Sequence, residues 1–298
     1  MYDSSLDESP HHVRSVSLPS KTNPNISRID EALRKLKAWE SSAISSKVEN
    51  ACIGLSSLGD LYKCVEDLIR LPLTQQGLVR HQNEKWVEDV LDGFVRLIDV
   101  CGTARDIMTQ MKENAGELRS VLRRRAEESC KEEKVEAYVS CKKKLNKCLN
   151  KCVEDLKKLD KKLVSAPLLV QDNQNTHLEM VVKNLREVRA STVSVFQYSV
   201  MAFVSEQKNT KWGLVSKLVQ KGPAKSDDEP DVVECVDIAL RSLFRRVSSK
   251  ADEAKNVQLV QKRLEELEDG IEGVEVGLEC ISRRLIQTRV SLLNIFTQ

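Results

Sequence analysis

Aromatic residues and long apolar runs are both scarce in this sequence of 298 residues. Phe, Trp and Tyr together make up 4% of it, which is low for a β-rich protein and typical of long helices built from Leu, Val and Ala. The longest nearly apolar run, residues 193–204, is interrupted by Ser and Gln and is shorter than the roughly 18–20 apolar residues that cross a bilayer as a helix. We therefore expect an all-α protein with no transmembrane segment.

The residue patterns that support most enzyme chemistry are also missing. None of the four histidines belongs to an HExxH motif or to a recognisable nucleophile arrangement. No glycine-rich phosphate loop is present, because Gly270, Gly273 and Gly277 fall inside a helical pattern. Each of these glycines costs a helix about 1 kcal/mol relative to Ala, so we expect either a closely packed neighbouring helix or local flexibility there. We predict a non-enzymatic protein with no catalytic residues, cofactor or metal; a small-molecule pocket inside a helical bundle stays open as the weakest alternative.

Nine cysteines occur, but they form no CxxC pair and have no histidine at ligand spacing. Cys148 and Cys152 are one helical turn apart, and both could reach a metal, but we favour packing in the core for them. The odd number of cysteines, their apolar positions and the lack of an apolar signal-peptide core predict buried free thiols in a reducing compartment. We expect an intracellular, cytoplasmic protein, with peripheral association with a membrane as the alternative.

Apolar residues recur at spacings of three and four along most of the chain, which is the period of an amphipathic α-helix. The longest such stripe lies near the C-terminus and consists of Val257, Val260, Leu264, Leu267, Ile271, Val274, Leu278, Ile281, Leu285, Thr288, Leu292 and Ile295. Four further apolar residues lie off this stripe: Ile286, Val290, Leu293 and Phe296. A two-stranded coiled coil would leave those four exposed, so we predict burial within a bundle, and a monomer.

The breaks between the periodic segments predict one elongated bundle of six to eight long, antiparallel helices. Residues 1–25 are rich in Pro and Ser, without periodicity, and we expect a disordered tail. Residues 26–298 are predicted to form a single domain with loops near 165–176 and 221–231. We expect its first and last helices to pack near each other.

Finer boundaries follow from capping and breaking residues. Ser27 is predicted to cap a long helix over residues 26–55, and a second helix, about 58–71, is expected to end before Pro72. The sequence after this predicts a turn at residues 75–77, nearly continuous helix over 80–163 with breaks near Gly102 and Ser129, helix over 177–220, and helices from 232 to the end.

Charge is balanced overall but uneven along the chain. The net charge is +2, so we expect no binding to nucleic acid. Residues 119–163 hold 15 Lys and Arg against 8 Asp and Glu, whereas residues 224–280 hold 8 against 15. We favour two regions that complement each other within one bundle. The alternative is a basic surface for an acidic partner, a lipid surface or nuclear import, and its candidate residues are Arg123, Arg124, Arg125, Lys142, Lys143 and Lys144.

The N-terminal tail carries a candidate regulatory motif. Arg14 lies three residues before Ser17, and Pro19 lies two residues after it. Phosphate on Ser17 would add about −1.5 to −2 of charge in an extended segment, which suits capture by a phosphoserine-binding adaptor of the 14-3-3 kind. An inert tail, or a segment that docks on the bundle, is the other interpretation of the same residues.

Both ends of the sequence resemble the plant-specific BYPASS-like family, a domain of unknown function. The N-terminal block comprises residues 12–20, 29–33 and 36–40, and the C-terminal block comprises residues 264–268, 271–273, 277–280, 283–286 and 288–294. The resemblance extends over about 11–298 and implies a helical, intracellular protein without assigned enzyme activity, linked to root and shoot development. We therefore expect a helical interaction or regulatory protein that binds protein partners. The alternative is a peripheral membrane or lipid-surface protein that uses the basic region 119–163.

Overall fold

The structure is a computed structural model, which describes residues 24–42, 48–124, 128–165, 176–204, 231–243 and 250–297. These residues form eight α-helices and no strand, which confirms the predicted all-α class. The helices are α1 (Pro24–Ser42), α2 (Val48–Ile69), α3 (Pro72–Arg80), α4 (Lys85–Arg123), α5 (Glu128–Ser165), α6 (Thr176–Met201), α7 (Val232–Leu243) and α8 (Lys250–Phe296). No helix in the described part combines the length and apolar character needed to cross a membrane.

The helices form an elongated bundle around α8, whose 47 residues span about 70 Å at 1.5 Å per residue. Helices α2, α4 and α7 pack against α8, and α6 packs against α2 and α5. Helix α5 lies on the outside of α4 and α6. The expected packing of the first helix on the last one is wrong, because α1 packs on α2 and α6 instead. One continuous apolar core includes side chains from all eight described helices.

The C-terminal apolar stripe lies in this core as predicted. Its members from Val260 to Ile295 are all buried, Thr288 included, and Val257 is half-buried. Burial of the off-stripe residues is wrong for two of them, because Ile286 and Val290 are 47% and 46% exposed. Helix periodicity places these two side chains on a different side of α8 from the stripe, and whether that side is covered depends on the surrounding helices.

The glycines of α8 allow α2 to approach closely, which confirms one of the two expectations for them. A Cβ added at Gly277 would lie 2.7 Å from Leu55 Cδ1 and 2.9 Å from Leu55 Cβ. At Gly273 a Cβ would lie 3.0 Å from the Sγ of Cys52. The successive contacts run in the same chain direction on both helices, so α2 and α8 are parallel.

The long helix predicted over residues 26–55 is wrong. Helix α1 ends at Ser42 and α2 begins at Val48, and the two helices are antiparallel neighbours. Trp39 Nε1 donates a hydrogen bond to the backbone oxygen of Asn50 at 3.1 Å. The apolar period continues across this connection, so periodicity alone did not reveal it. Ser27 is not a cap either, because α1 begins at Pro24, where the missing N–H of proline costs no hydrogen bond.

The remaining boundaries are partly as predicted. The break before Pro72 is confirmed, and the break near Ser129 falls between α4 and α5. The expected break between 55 and 58 and the break near Gly102 are wrong, because α2 and α4 run through them. The predicted turn at 75–77 lies inside α3. Helix α6 ends at Met201, short of the predicted 220, and residues 205–230 lie outside the described part.

The prediction of buried thiols holds for some cysteines and not for others. Cys101 and Cys152 are buried, whereas Cys148 and Cys280 are exposed and the other five are intermediate. Burial raises the pKa of the Cys101 thiol to about 12, against a smaller opposing effect of Arg105. Cys148 lies on the outer face of α5, so core packing is the wrong interpretation for it.

Candidate interaction surface

Heptad-spaced ion pairs join α4 to α8, and we call them the α4–α8 ladder. Basic residues at intervals of seven on α4 meet acidic residues at intervals of seven on α8, which runs in the opposite direction. The ladder consists of Arg105, Lys112 and Arg119 on α4 and of Glu265, Glu268, Glu272, Glu275 and Glu279 on α8. Because equal spacings coincide at every second turn along an antiparallel pair, the ladder specifies one register between these helices.

The ladder pairs are close but partly solvated. The Nζ of Lys112 lies 3.3 Å from carboxylate oxygens of both Glu272 and Glu275, and Arg119 lies 2.8 Å from Glu268. Partial burial alone would lower the pKa of Lys112, but its hydrogen bonds to the two glutamates outweigh this and raise it. Partly exposed pairs of this kind contribute about 0–1 kcal/mol each. The ladder therefore contributes more to register than to stability.

Lys142, one of the predicted surface residues, is an interhelix contact instead. Its Nζ lies 2.6 Å from both carboxylate oxygens of Asp237 on α7, and its side chain is only 12% exposed. Arg119 and Lys131 also pair with acidic residues of α8. The favoured interpretation of the charge asymmetry, two regions that complement each other within the chain, thus accounts for these three basic residues.

The other predicted basic residues are divided between two places. Arg123 and Arg124 are exposed at the C-terminal end of α4, where a helix dipole favours positive charge. Arg125 lies outside the described residues, as do Arg14, Ser17 and Pro19 of the tail motif. Lys143 and Lys144 are exposed in the middle of α5. The structure therefore does not join the six residues into one surface.

Lys143 and Lys144 belong to a row of basic side chains that the sequence pattern alone did not indicate. This row, the α5 lysine ridge, consists of Lys143, Lys144, Lys147 and Lys151. All four are exposed, and none forms an ion pair with another residue of the described ranges. Their spacing of three and four puts them on one face of the helix.

The ridge lies on the side of α5 that is remote from the bundle. Leu149 is fully buried, and Lys147 and Lys151 are each two residues away from it, about 200° of helix rotation. The buried stripe of α5 includes Tyr138, Leu145, Leu149, Cys152 and Leu156. Because α4 and α6 cover that stripe, the four ammonium groups can approach an external surface together.

The outer face of α5 changes sign along its axis. Glu132, Glu133 and Glu136 are exposed ahead of the ridge, and Glu154 is exposed one turn after it. The step from Glu136 to Lys143 is about 10 Å along the helix. An anionic surface would thus attract the middle of α5 and repel the segments on either side.

A small cleft adjoins the Lys142–Asp237 pair. It has a volume of about 10 Å³ and is lined by Met111, Asn114, Tyr138, Lys142 and Leu145. Burial raises the pKa of the Tyr138 phenol, and the charge of Asp237 adds to the effect. A volume of this size admits about one water molecule, so this cleft does not hold a metabolite.

Comparisons with known proteins bear on the family and not on the surface. The family model described as Protein BPS1 matches residues 54–295 of the chain. This range contains the C-terminal block of the resemblance but not the N-terminal one. No curated protein and no solved structure matches the chain. Because the matched range covers well over half of the sequence and agrees with the predicted BYPASS-like resemblance, the chain belongs to the family described as Protein BPS1.

Proposed function

We propose that this protein is a non-enzymatic helical interaction and regulatory protein that acts in root and shoot development in plants. The family supports the developmental part, through the BYPASS-like resemblance. The observation that carries the interaction part is the α5 lysine ridge. Its four lysines are exposed without an ion pair to the described residues, whereas Lys142 beside them pairs with Asp237.

The ridge opposes the stability of its own helix. Like charges three or four residues apart on a helix destabilise it by about 0.2–0.5 kcal/mol per pair. Lys147 forms such pairs with Lys143, Lys144 and Lys151, so the repulsion amounts to about 1 kcal/mol. A negatively charged partner would relieve this repulsion, and the ridge thereby gains affinity that a neutral face would lack.

Proximity labelling in plant roots tests the proposal. The variant to compare with wild type is Lys143, Lys144, Lys147 and Lys151→Gln. A matched control removes the same charge from four scattered, exposed lysines: Lys35, Lys63, Lys85 and Lys183→Gln. We expect the ridge variant to lose labelled neighbours and to fail to restore root and shoot growth in plants that lack the protein, while the control restores it.

Two outcomes would contradict the proposal. Plants that lack the protein would grow normally, or the ridge variant would match the control in both labelling and growth. A Ser17→Ala arm in the same experiment tests the phosphoserine hypothesis, since loss of an adaptor from the labelled set is expected when Ser17 carries a phosphate.

A second candidate function is binding to a membrane surface. It is favoured by the composition of the ridge, which contains lysine alone, and it would identify the partner of this same face.

A further inference from the structure

The α5 lysine ridge lacks the side chains that anchor protein interfaces. Such interfaces are enriched in Arg and aromatic residues and depleted in Lys, with a few buried anchors supplying most of the affinity. All four ridge residues are Lys, and residues 129–159 of α5 include no exposed large apolar side chain. A flat, diffuse anionic surface suits lysines, because their ammonium groups act as point charges without a fixed geometry.

We propose that the α5 lysine ridge docks this protein on an anionic lipid bilayer. The inference rests on the proposed function, because both use the ridge as the binding face. Clusters of four or more Lys or Arg on one helix face bind acidic lipid headgroups through the negative potential of the membrane surface. The remote position of the ridge from the bundle lets its four lysines reach one plane together.

The neighbouring charges orient the docked protein. Glu132, Glu133 and Glu136 precede the ridge and Glu154 follows it, and all four are exposed and would be repelled by the same lipids. Contact is therefore confined to the ridge itself. Because no exposed large apolar side chain accompanies the lysines over residues 129–159, the attachment is electrostatic and reversible.

Cosedimentation of the full chain with vesicles tests this inference. Phosphatidylcholine vesicles with and without phosphatidylserine are the probes. We expect binding to the anionic vesicles alone, and its loss at high salt, since the screening length falls from about 10 Å at 0.1 M to about 3 Å at 1 M. Each lysine near an anionic surface contributes about fivefold to binding, so the four ridge substitutions should weaken it by about 10²–10³-fold.

Two matched variants refine the test. The control Lys35, Lys63, Lys85 and Lys183→Gln removes the same charge and should weaken binding far less. Replacing the three glutamates that precede the ridge by Gln should strengthen binding. Circular dichroism of each variant establishes that its helices are intact.

The two exposed cysteines report the orientation. Cys148 adjoins the ridge, whereas Cys280 lies beside Gly59 of α2, away from α5. Anionic vesicles should slow maleimide labelling of Cys148 and leave that of Cys280 unchanged.

Failure of the lipid inference is distinguishable from failure of the proposed function. Wild-type protein that does not bind anionic vesicles, or equal weakening by the ridge and control variants, overturns lipid docking. If the ridge variant nevertheless loses its labelled neighbours in roots, the partner is an acidic protein surface and the proposed function stands.

Discussion

Substitution of two helical glycines by Ala should change stability in opposite directions. Gly277 of α8 faces Leu55, and an added Cβ would lie 2.7 Å from Leu55 Cδ1 and 2.9 Å from Leu55 Cβ. Gly102 of α4 has no atom within 4 Å of the corresponding position. Both glycines are inside long helices, so the gain in helix propensity is the same, about 1 kcal/mol.

The difference between the sites comes from packing. Overpacking a well-filled core costs about 1–3 kcal/mol. Leu55 Cβ is fixed to the α2 backbone and cannot rotate away, so relief at Gly277 requires the two helices to separate. We expect Gly277→Ala to lower the free energy of unfolding by about 0–2 kcal/mol, and Gly102→Ala to raise it by about 0.5–1 kcal/mol.

Chemical denaturation with circular dichroism measures both values. A double variant with Leu55→Ala should make Gly277→Ala less harmful, because the added methyl then enters the space that Leu55 vacates. If Gly277→Ala stabilises the protein as much as Gly102→Ala does, the close packing of α2 on α8 is refuted.

Three further predictions concern buried polar groups. Lys142→Met leaves Asp237 without its amine and should cost about 1–3 kcal/mol, and a double-mutant cycle with Asp237→Asn that gives no coupling energy would contradict the pair. Cys101, whose pKa burial raises to about 12, should resist maleimide at neutral pH while Cys148 reacts, as mass spectrometry of the peptides can establish. Burial lowers the pKa of His177, so the unfolded chain takes up a proton first and stability should fall as the pH drops below about 6.5; His177→Gln should remove this dependence.

The periodic pattern predicted the helices well because each stripe has a single physical cause, burial of one face. The stripe of α8 from Val260 to Ile295 needs only local spacing and a partner, so the sequence sufficed. Connections were harder to place. The period passes unbroken from α1 into α2, although the chain reverses direction between them, and only the contact of Trp39 with Asn50 reveals the reversal.

Exposure was the least predictable property, since it depends on neighbours that the local sequence does not specify. Ile286 and Val290 have the apolar character of core residues, yet they are about half exposed. The position of Cys148 on the outside of α5 could have been recognised from its rotation relative to Leu145 and Leu149, had that helix face been assigned first.

The same rotation decides which basic residues can bind a partner. Lys142, Lys143 and Lys144 are adjacent in the sequence and equivalent in composition, but each step along a helix turns the side chain by about 100°. Lys142 therefore meets Asp237 inside the bundle, while Lys143 and Lys144 lie outside. A run of lysines on a helix is thus a candidate binding surface only for those members opposite the buried stripe, and it is this geometry, not the local excess of positive charge, that supports the α5 lysine ridge as the docking face.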